Sequence, residues 1–359
     1  MLLIGFYLYN HIMTLTELSY YLRKALPLVL IFTLLLFIFY YSIKLIFLLS
    51  RKPVERITYI NPIFDKIDRP YFKEATLSAG LSFVLDTIEG KPITATDTAK
   101  VFFIPEPQSR LNYRTRLLLM AKQFGFDTNL TKYQLEGDEA VFIEGRKDLR
   151  INIKNFNFSY KYDFSSEGER FSSYTLPSNS EIENRAIDFL KSVDRYPDSL
   201  AKGETKIIYF LYQPESNLIK PTENKNEANV AEINFYSQSI DELGVVYDKF
   251  LSSPNHLIVT FDEREMKILK ARISYFEKME DQYGTYPLKT GEEAYEELVS
   301  GKGFVVANLA KGNKITLTKM FLAYYEPSFY QPYFQPIYVF LGKDDFVAYV
   351  PAVKNDYLK

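Results

Sequence analysis

The chain has 359 residues, of which 47% are hydrophobic and 16% aromatic, with 43 Lys and Arg against 45 Asp and Glu, two His, no Trp and no Cys. The lack of cysteine excludes disulfides, thiolate zinc sites, iron–sulfur clusters and a Cys nucleophile, and two histidines leave no multi-histidine metal site. Beyond residue 52 there are 38 basic and 44 acidic residues, a formal charge of about −6 with no basic stripe, so nucleic acid is not an expected partner.

Residues 1–24 form an N-terminal segment whose opening MLLIGFYLYNHI is apolar and precedes Met13, a second candidate start. The run from Ala25 to Ile43 carries no charge and continues past Lys44 into Leu45–Leu49. Nineteen helical residues reach roughly 29 Å, close to a hydrocarbon core of about 30 Å, so residues 25–49 are expected to be a transmembrane helix in the lipid bilayer. Tyr40 and Tyr41 sit where an aromatic belt belongs, and Lys44 can snorkel to the interface. Lys44, Arg51, Lys52 and Arg56 outnumber Arg23 and Lys24, which argues for a cytoplasmic body. The layout of a short leader, one span and a long domain is that of a signal anchor, and it places the body outside the cytoplasm. The expected location is the cell membrane, single-pass, with an extracytoplasmic C-terminal body.

Residues 50–99, with scattered prolines and no clean period, are expected to be a juxtamembrane connector. A first α+β subdomain spans 100–164. It opens with the short strand Lys100–Pro105, followed by a helix at Tyr113–Phe124 with Leu117, Leu118, Met120, Ala121 and Phe124 on one face and Gly125 as its stop. Strands follow at Glu139–Glu144, Leu149–Ile153 and Phe156–Tyr162, where alternation predicts one buried and one wet face. Residues 165–180, rich in Ser, Gly, Asn and Pro, mark a linker.

The second α+β region, 181–359, opens with a helix at Glu181–Val193 capped by Ser180. Strands are expected at Lys206–Tyr212, Val230–Tyr236, Leu257–Phe261 and Ile268–Tyr275, with a mobile charged loop at Gln213–Asn229. Its C-terminal unit, 284–359, starts with a helix capped reciprocally by Thr290 and Glu293 and ended at Gly301 or Gly303. The strands Phe304–Ala307, Lys314–Tyr325, Ile337–Leu341 and Phe346–Pro351 complete it, with Ile315, Leu317, Phe321, Ala323 and Tyr325 on one face of the long strand. The fold class is therefore α+β: an N-terminal transmembrane helix followed by repeated subdomains, each a helix plus an antiparallel meander.

No phosphate loop, nucleophile elbow or zinc-helix motif occurs, and Gly301-Lys302-Gly303 follows a helix where a phosphate cradle would precede one. Asp262, Glu263 and Glu265 read as a solvated turn, and His256 as a turn residue. Asn129 and Asn157 match the glycosylation acceptor pattern, as chance often allows. These residues give no catalytic, cofactor or metal site. The aromatic text from Tyr324 to Phe340 stands out: Pro327, Pro332 and Pro336 are expected to keep 326–335 out of a central strand, so that some of Phe329, Tyr330, Tyr333 and Phe334 lie on a loop, with Phe334 expected in the core beside the Gln335-Pro336 strand start and Tyr330 at the loop tip. Such aromatics either dock a partner or fold back as a lid, and they are the candidate partner-binding residues.

Glu293-Ala294 with Leu298, Leu322-Ala323-Tyr324-Tyr325 and Gln335-Pro336-Ile337-Tyr338 resemble the C-terminal domain of YycI and YycH proteins. Those are single-span membrane proteins that regulate a sensor histidine kinase. The resemblance implies a regulatory, non-enzymatic role exerted through contacts with another membrane or envelope protein, with no cofactor. The rival classes are an envelope ligand-binding sensor and a carboxylate-dependent glycan hydrolase, which needs two carboxylates about 5 to 9.5 Å apart in a cleft.

Overall fold

The computed structural model of the chain describes residues 15–49, 59–109, 111–165, 174–213, 218–263, 265–310 and 312–359. The chain forms two units, 1–57 and 58–359. In the first, helix α1 (Leu15–Leu49) runs for 35 residues and tolerates Pro27 in its interior. Its Arg23–Leu45 stretch is long and apolar enough to cross a membrane, and its large apolar side chains stand exposed, as those of a helix facing lipid do. Thr33 satisfies its hydroxyl within the helix by donating to the carbonyls of Val29 and Leu30.

The second unit is mixed α and β with mostly antiparallel sheets. In chain order its elements begin with β1 (Thr76–Leu77), β2 (Ser82–Leu85), β3 (Thr98–Phe103) and α2 (Tyr113–Gln123). A meander follows: β4 (Gln134–Glu136), β5 (Glu139–Glu144), β6 (Lys147–Asn152) and β7 (Phe158–Tyr162). Then come α3 (Asn179–Ser192), α4 (Asp198–Ala201), β8 (Thr205–Gln213), β9 (Leu218–Pro221), β10 (Val230–Phe235), β11 (Val245–Val246), β12 (His256–Asp262) and β13 (Glu265–Ile273). The chain closes with β14 (Tyr283–Pro287), α5 (Gly291–Glu297), β15 (Phe304–Ala307), β16 (Lys314–Tyr325), β17 (Tyr333–Gly342) and β18 (Val347–Pro351).

The first nine-stranded sheet has the order β4-β5-β6-β7-β13-β12-β10-β8-β9. One face is covered by α2 and α3, whose Leu117, Met120, Ile182, Ala186 and Leu190 pack on Phe142, Ile151, Phe158, Ile233 and Val259. This sheet joins strands from both sides of the expected 165–180 linker, because Ala271 of β13 pairs directly with Tyr160 of β7. The 100–164 and 181–359 regions thus share a sheet and a core; within the linker, residues 166–173 lie outside the described residues. The cap of α3 is Ser178, which accepts from the Glu181 N–H, in place of the expected Ser180. Both serines precede a glutamate by three residues, and the earlier pair adds two more residues to the helix.

The second sheet follows β1-β15-β18-β17-β16-β11, with β2 parallel to β16, and β3 linking β17 to β14. Residues 59–99, expected as a connector, belong to this unit. Asn61 exchanges backbone hydrogen bonds with Thr285, and Ile67 and Phe72 are buried in its cores. Two further expectations are corrected here. In β16 a bulge between Leu317 and Lys319 shifts the alternation, so Ile315 and Leu317 share a core with Met320 and Leu322 while Phe321, Ala323 and Tyr325 face the other way. Pro336 lies inside β17, a central strand. It pairs with Tyr324, whose N–H turns away to the Gly244 carbonyl, so that pair asks no donor of residue 336.

The expected mobile loop 213–229 is also built into the sheet where it is described. β9 adds an edge strand with Pro221 at its end, and buried Asn229 accepts from the Tyr212 N–H while its carbonyl takes the Thr260 hydroxyl. Ile219, opposite Tyr212, supplies the apolar contact that anchors this charged stretch. Residues 214–217 are outside the described residues.

Candidate functional site

Alternation along the first sheet places every second residue on the face away from α2 and α3. In β6 these are Asp148, Arg150 and Asn152; in β7, Ser159 and Lys161; in β13, Lys270 and Arg272; in β12, His256. Register lines them up across the strands: Asp148, Lys161 and Lys270 form one row, and Arg150, Ser159, Arg272 and His256 the next. Over this floor lies an open cleft of about 800 Å³, walled by Glu106 and Pro107 on one side and by Phe276, Ser328, Phe329 and Tyr330 on the other.

The aromatic wall is held in place. Ser274 donates its hydroxyl to the Ser328 carbonyl at 2.6 Å, the Ser328 N–H donates to Asp248 Oδ2 at 2.9 Å, and Gln331 exchanges two hydrogen bonds with the backbone of Tyr71. Tyr330 packs on Phe276 and donates its hydroxyl to the Ile104 carbonyl at 3.2 Å, while Phe329 leans edge-on against Tyr71. Of the four aromatic residues singled out from the sequence, Phe329 and Tyr330 line the cleft. The other two are placed elsewhere. Phe334 is buried and stacked on Tyr324 at 5.1 Å, and Tyr333 packs on Phe64 and Phe103. The strand that begins at Tyr333 draws both into the sheet, and the loop proper is confined to 326–332.

The floor is charged but unevenly compensated. Arg150 reaches Glu136 at 2.8 Å, Asp148 at 3.6 Å and Glu139 at 3.8 Å, and Lys154 reaches Asp138 at 2.6 Å. The carboxylates on that flank are therefore engaged with cations. Lys161, Lys270 and Arg272 stand exposed in the middle of the floor, and among the described residues no carboxylate forms an ion pair with them. His256, expected as a turn residue, is the first residue of β12; burial pulls its pKa below the ordinary imidazole value, with Glu232 opposing. Asn157 is spent on structure, since its Oδ1 accepts from the Tyr275 N–H and from Arg195. Arg195 is itself buried deeply enough for desolvation to lower its pKa to about 10.

Behind the wall, Glu326 is buried and burial pushes its carboxyl up to about 7, with Ser237 and Lys278 pulling the other way. Among the described residues its Oε2 has no hydrogen-bond partner. The Asp262, Glu263 and Glu265 group forms the β12–β13 hairpin end, where Asp262 accepts from Tyr174 at 2.7 Å and pairs with Lys267 at 3.2 Å. Gly301, with φ of +84°, ends the helical turn after α5, a left-handed position that favours glycine.

The residues that sequence reasoning passed over are Ser159, Lys161, Lys270 and Arg272. Their outward positions follow from alternation, but their convergence depends on the pairing of β7 with β13, more than 100 residues apart in the chain.

No family model matches this chain, and no curated protein matches it. A solved structure similar to it is that of an uncharacterized protein from Eubacterium rectale, at 13% identity and a TM-score of 0.35, covering 76% of this chain and 89% of that one. A likeness so remote bears on neither fold nor function.

Proposed function

We propose that the chain is a membrane-anchored regulatory or scaffolding protein that works by contact with another membrane or envelope protein, and that the cleft over β6, β7, β13 and β12 is the contact surface. The observation that supports this is the cleft floor itself, a sheet face left uncovered with exposed cations and an aromatic wall beside it. An uncovered floor of this width suits a polypeptide. Of the four cleft carboxylates, Asp138, Glu139 and Asp148 each lie beside a cation and only Glu106 on the wall forms no ion pair among the described residues, which weighs against the paired acid and base of a hydrolase. A small-ligand sensor is the second reading, favoured by a volume within the usual range for ligand sites.

The resemblance to YycI and YycH points the same way, toward regulation across one span with an extracytoplasmic body. The order of helix then antiparallel strands recurs at 113–162 and at 291–351, but β4 to β7 pair in chain order as a meander while β15 pairs with β18, so what repeats in this reading is the order of elements and not the strand pairing. Protease added to intact spheroplasts is expected to remove the body and leave a small membrane fragment, and chemical crosslinking in those membranes to join the body to a second protein. Full protection would put the body in the cytoplasm; a chain that crosslinks to nothing would favour the sensor.

A further inference from the structure

The middle of the cleft floor carries an arrangement that a sheet does not need for its own stability. Lys161 and Lys270 are direct cross-strand partners, and Arg272 follows Lys270 at the next outward position of the same strand. Like charges set opposite each other in an antiparallel pair are destabilising. Elsewhere on the same face the cations are neutralised, Arg150 by Glu136, Asp148 and Glu139, and Lys154 by Asp138. Asp148 stands directly across from Lys161 but within reach of Arg150, Glu106 stands on the wall, and among the described residues no carboxylate forms an ion pair with Lys161, Lys270 or Arg272, so the β7–β13 seam faces solvent with a surplus of positive charge. His256, adjacent to Arg272 in register, has its pKa lowered and adds a polar group to that row.

The spacing is informative. Outward positions along a strand recur every two residues, roughly 6.6 to 6.8 Å, and neighbouring strands lie about 4.8 Å apart. A single small anion would be served by one convergent point. Here the cations occupy two successive rows along β13, which is the i, i+2 spacing of another extended chain laid along it. Asn152 and Ser159 line the same trough as neutral hydrogen-bonding groups, and Phe329 and Tyr330 close one side. We infer that the cleft binds an extended acidic segment of a partner polypeptide, with carboxylates at alternate positions over the Lys161–Lys270 pair and over Arg272. This rests on the reading of the cleft as a protein contact surface and gives that partner its chemistry.

The test uses the full chain in nanodiscs of zwitterionic phosphatidylcholine and a fluorescein-labelled peptide of alternating Glu and Ser, followed by fluorescence anisotropy. The expected result is binding that weakens at least tenfold when salt rises from 50 to 300 mM, as screened charges require. A K161Q/K270Q/R272Q variant should bind at least tenfold more weakly, whereas K91Q/K202Q/K302Q, at exposed lysines outside the cleft, should bind as the parent does. Thermal melts of both variants guard against misfolding. No binding at low salt, equal binding by both triple variants, or equal binding of a Lys-Ser peptide would overturn the inference. So would displacement of the peptide by inorganic phosphate or by polyglycerol phosphate at lower charge concentration than by unlabelled peptide, which would make the occupant a phosphate ligand or polymer. If the peptide fails while membrane crosslinking still joins the body to a second protein, only the acidic-segment inference falls; if both fail, the protein-contact reading falls with it.

Discussion

In β7 of the first sheet, Phe158, Tyr160 and Tyr162 point into the core while Ser159 and Lys161 point out. In β18 of the second sheet, all five residues from Val347 to Pro351 are buried. Both sheets have nine strands, but over β6, β7 and the outward cations of β13 the first has one packed face, its outer face being sealed only toward β8 and β10 by Tyr212, Val230 and Leu269, whereas the second has two. α5 and the Leu298 turn cover one side of β17 and β18, and Phe72, Ala75 and Phe250 pack on the other. Period-two text thus marks where a sheet stays open to solvent, and continuous apolar text marks where it is sealed. The sealed sheet supplies rigidity, and the open one supplies a surface on which charge can be displayed without a desolvation cost.

This contrast can be broken or sharpened by substitution. The largest effect should come from the sealed sheet: Phe340→Ala, fully buried in β17 between Met320 and Ala348, should cost on the order of 3 to 5 kcal/mol by chemical denaturation. A loss below about 1 kcal/mol would mean that the second sheet is not packed on the face that α5 covers.

Next comes Glu326, at the end of β16. Its folded pKa of about 7 lies above the ordinary 4.5, so the folded state holds a proton that the unfolded state has released. Stability is therefore greatest below pH 4.5 as far as this group is concerned, declines as pH rises from 4.5 to 7, and stays at the lower value above that. The shift corresponds to about 3 kcal/mol, and Glu326→Gln should flatten this part of the pH profile and raise the melting temperature at pH 8. An unchanged profile in the variant would remove Glu326 as its source.

At the edge of the first sheet's helical cover, Ser178→Ala should cost about 1 kcal/mol through loss of the α3 cap, whereas Ser180→Ala should cost a few tenths at most. The smallest effect belongs to the open face. Lys270→Gln should change stability by less than about 0.5 kcal/mol, and in the direction of gain, because it relieves the repulsion with Lys161.

Much of this architecture was legible in the chain. The apolar run, the α2 stripe apart from Leu118, which is exposed, the Thr290–Glu293 capping box and the hairpin strands after α2 all follow from local period and cap chemistry, and the structure contains them. What was hidden is non-local. The bulge in β16 reverses a face without altering composition, and residues 59–99 look like a connector because their strands are two to six residues long and find partners more than 180 residues away. The candidate site was half legible. Phe329 and Tyr330 announced themselves as loop aromatics, but the floor they overlook exists only once β7 and β13 pair, and no local signal in either strand names the other.

The central claim is that the open face of the first sheet, and no other part of the body, meets the partner. Photocrosslinking side chains placed one at a time at Ser159, at Phe329 and at Lys202, the last exposed beside α4 away from the cleft, test it in intact membranes. Adducts from Ser159 and Phe329 with none from Lys202 are the predicted result. Adducts from Lys202 with none from the two cleft positions would contradict the account.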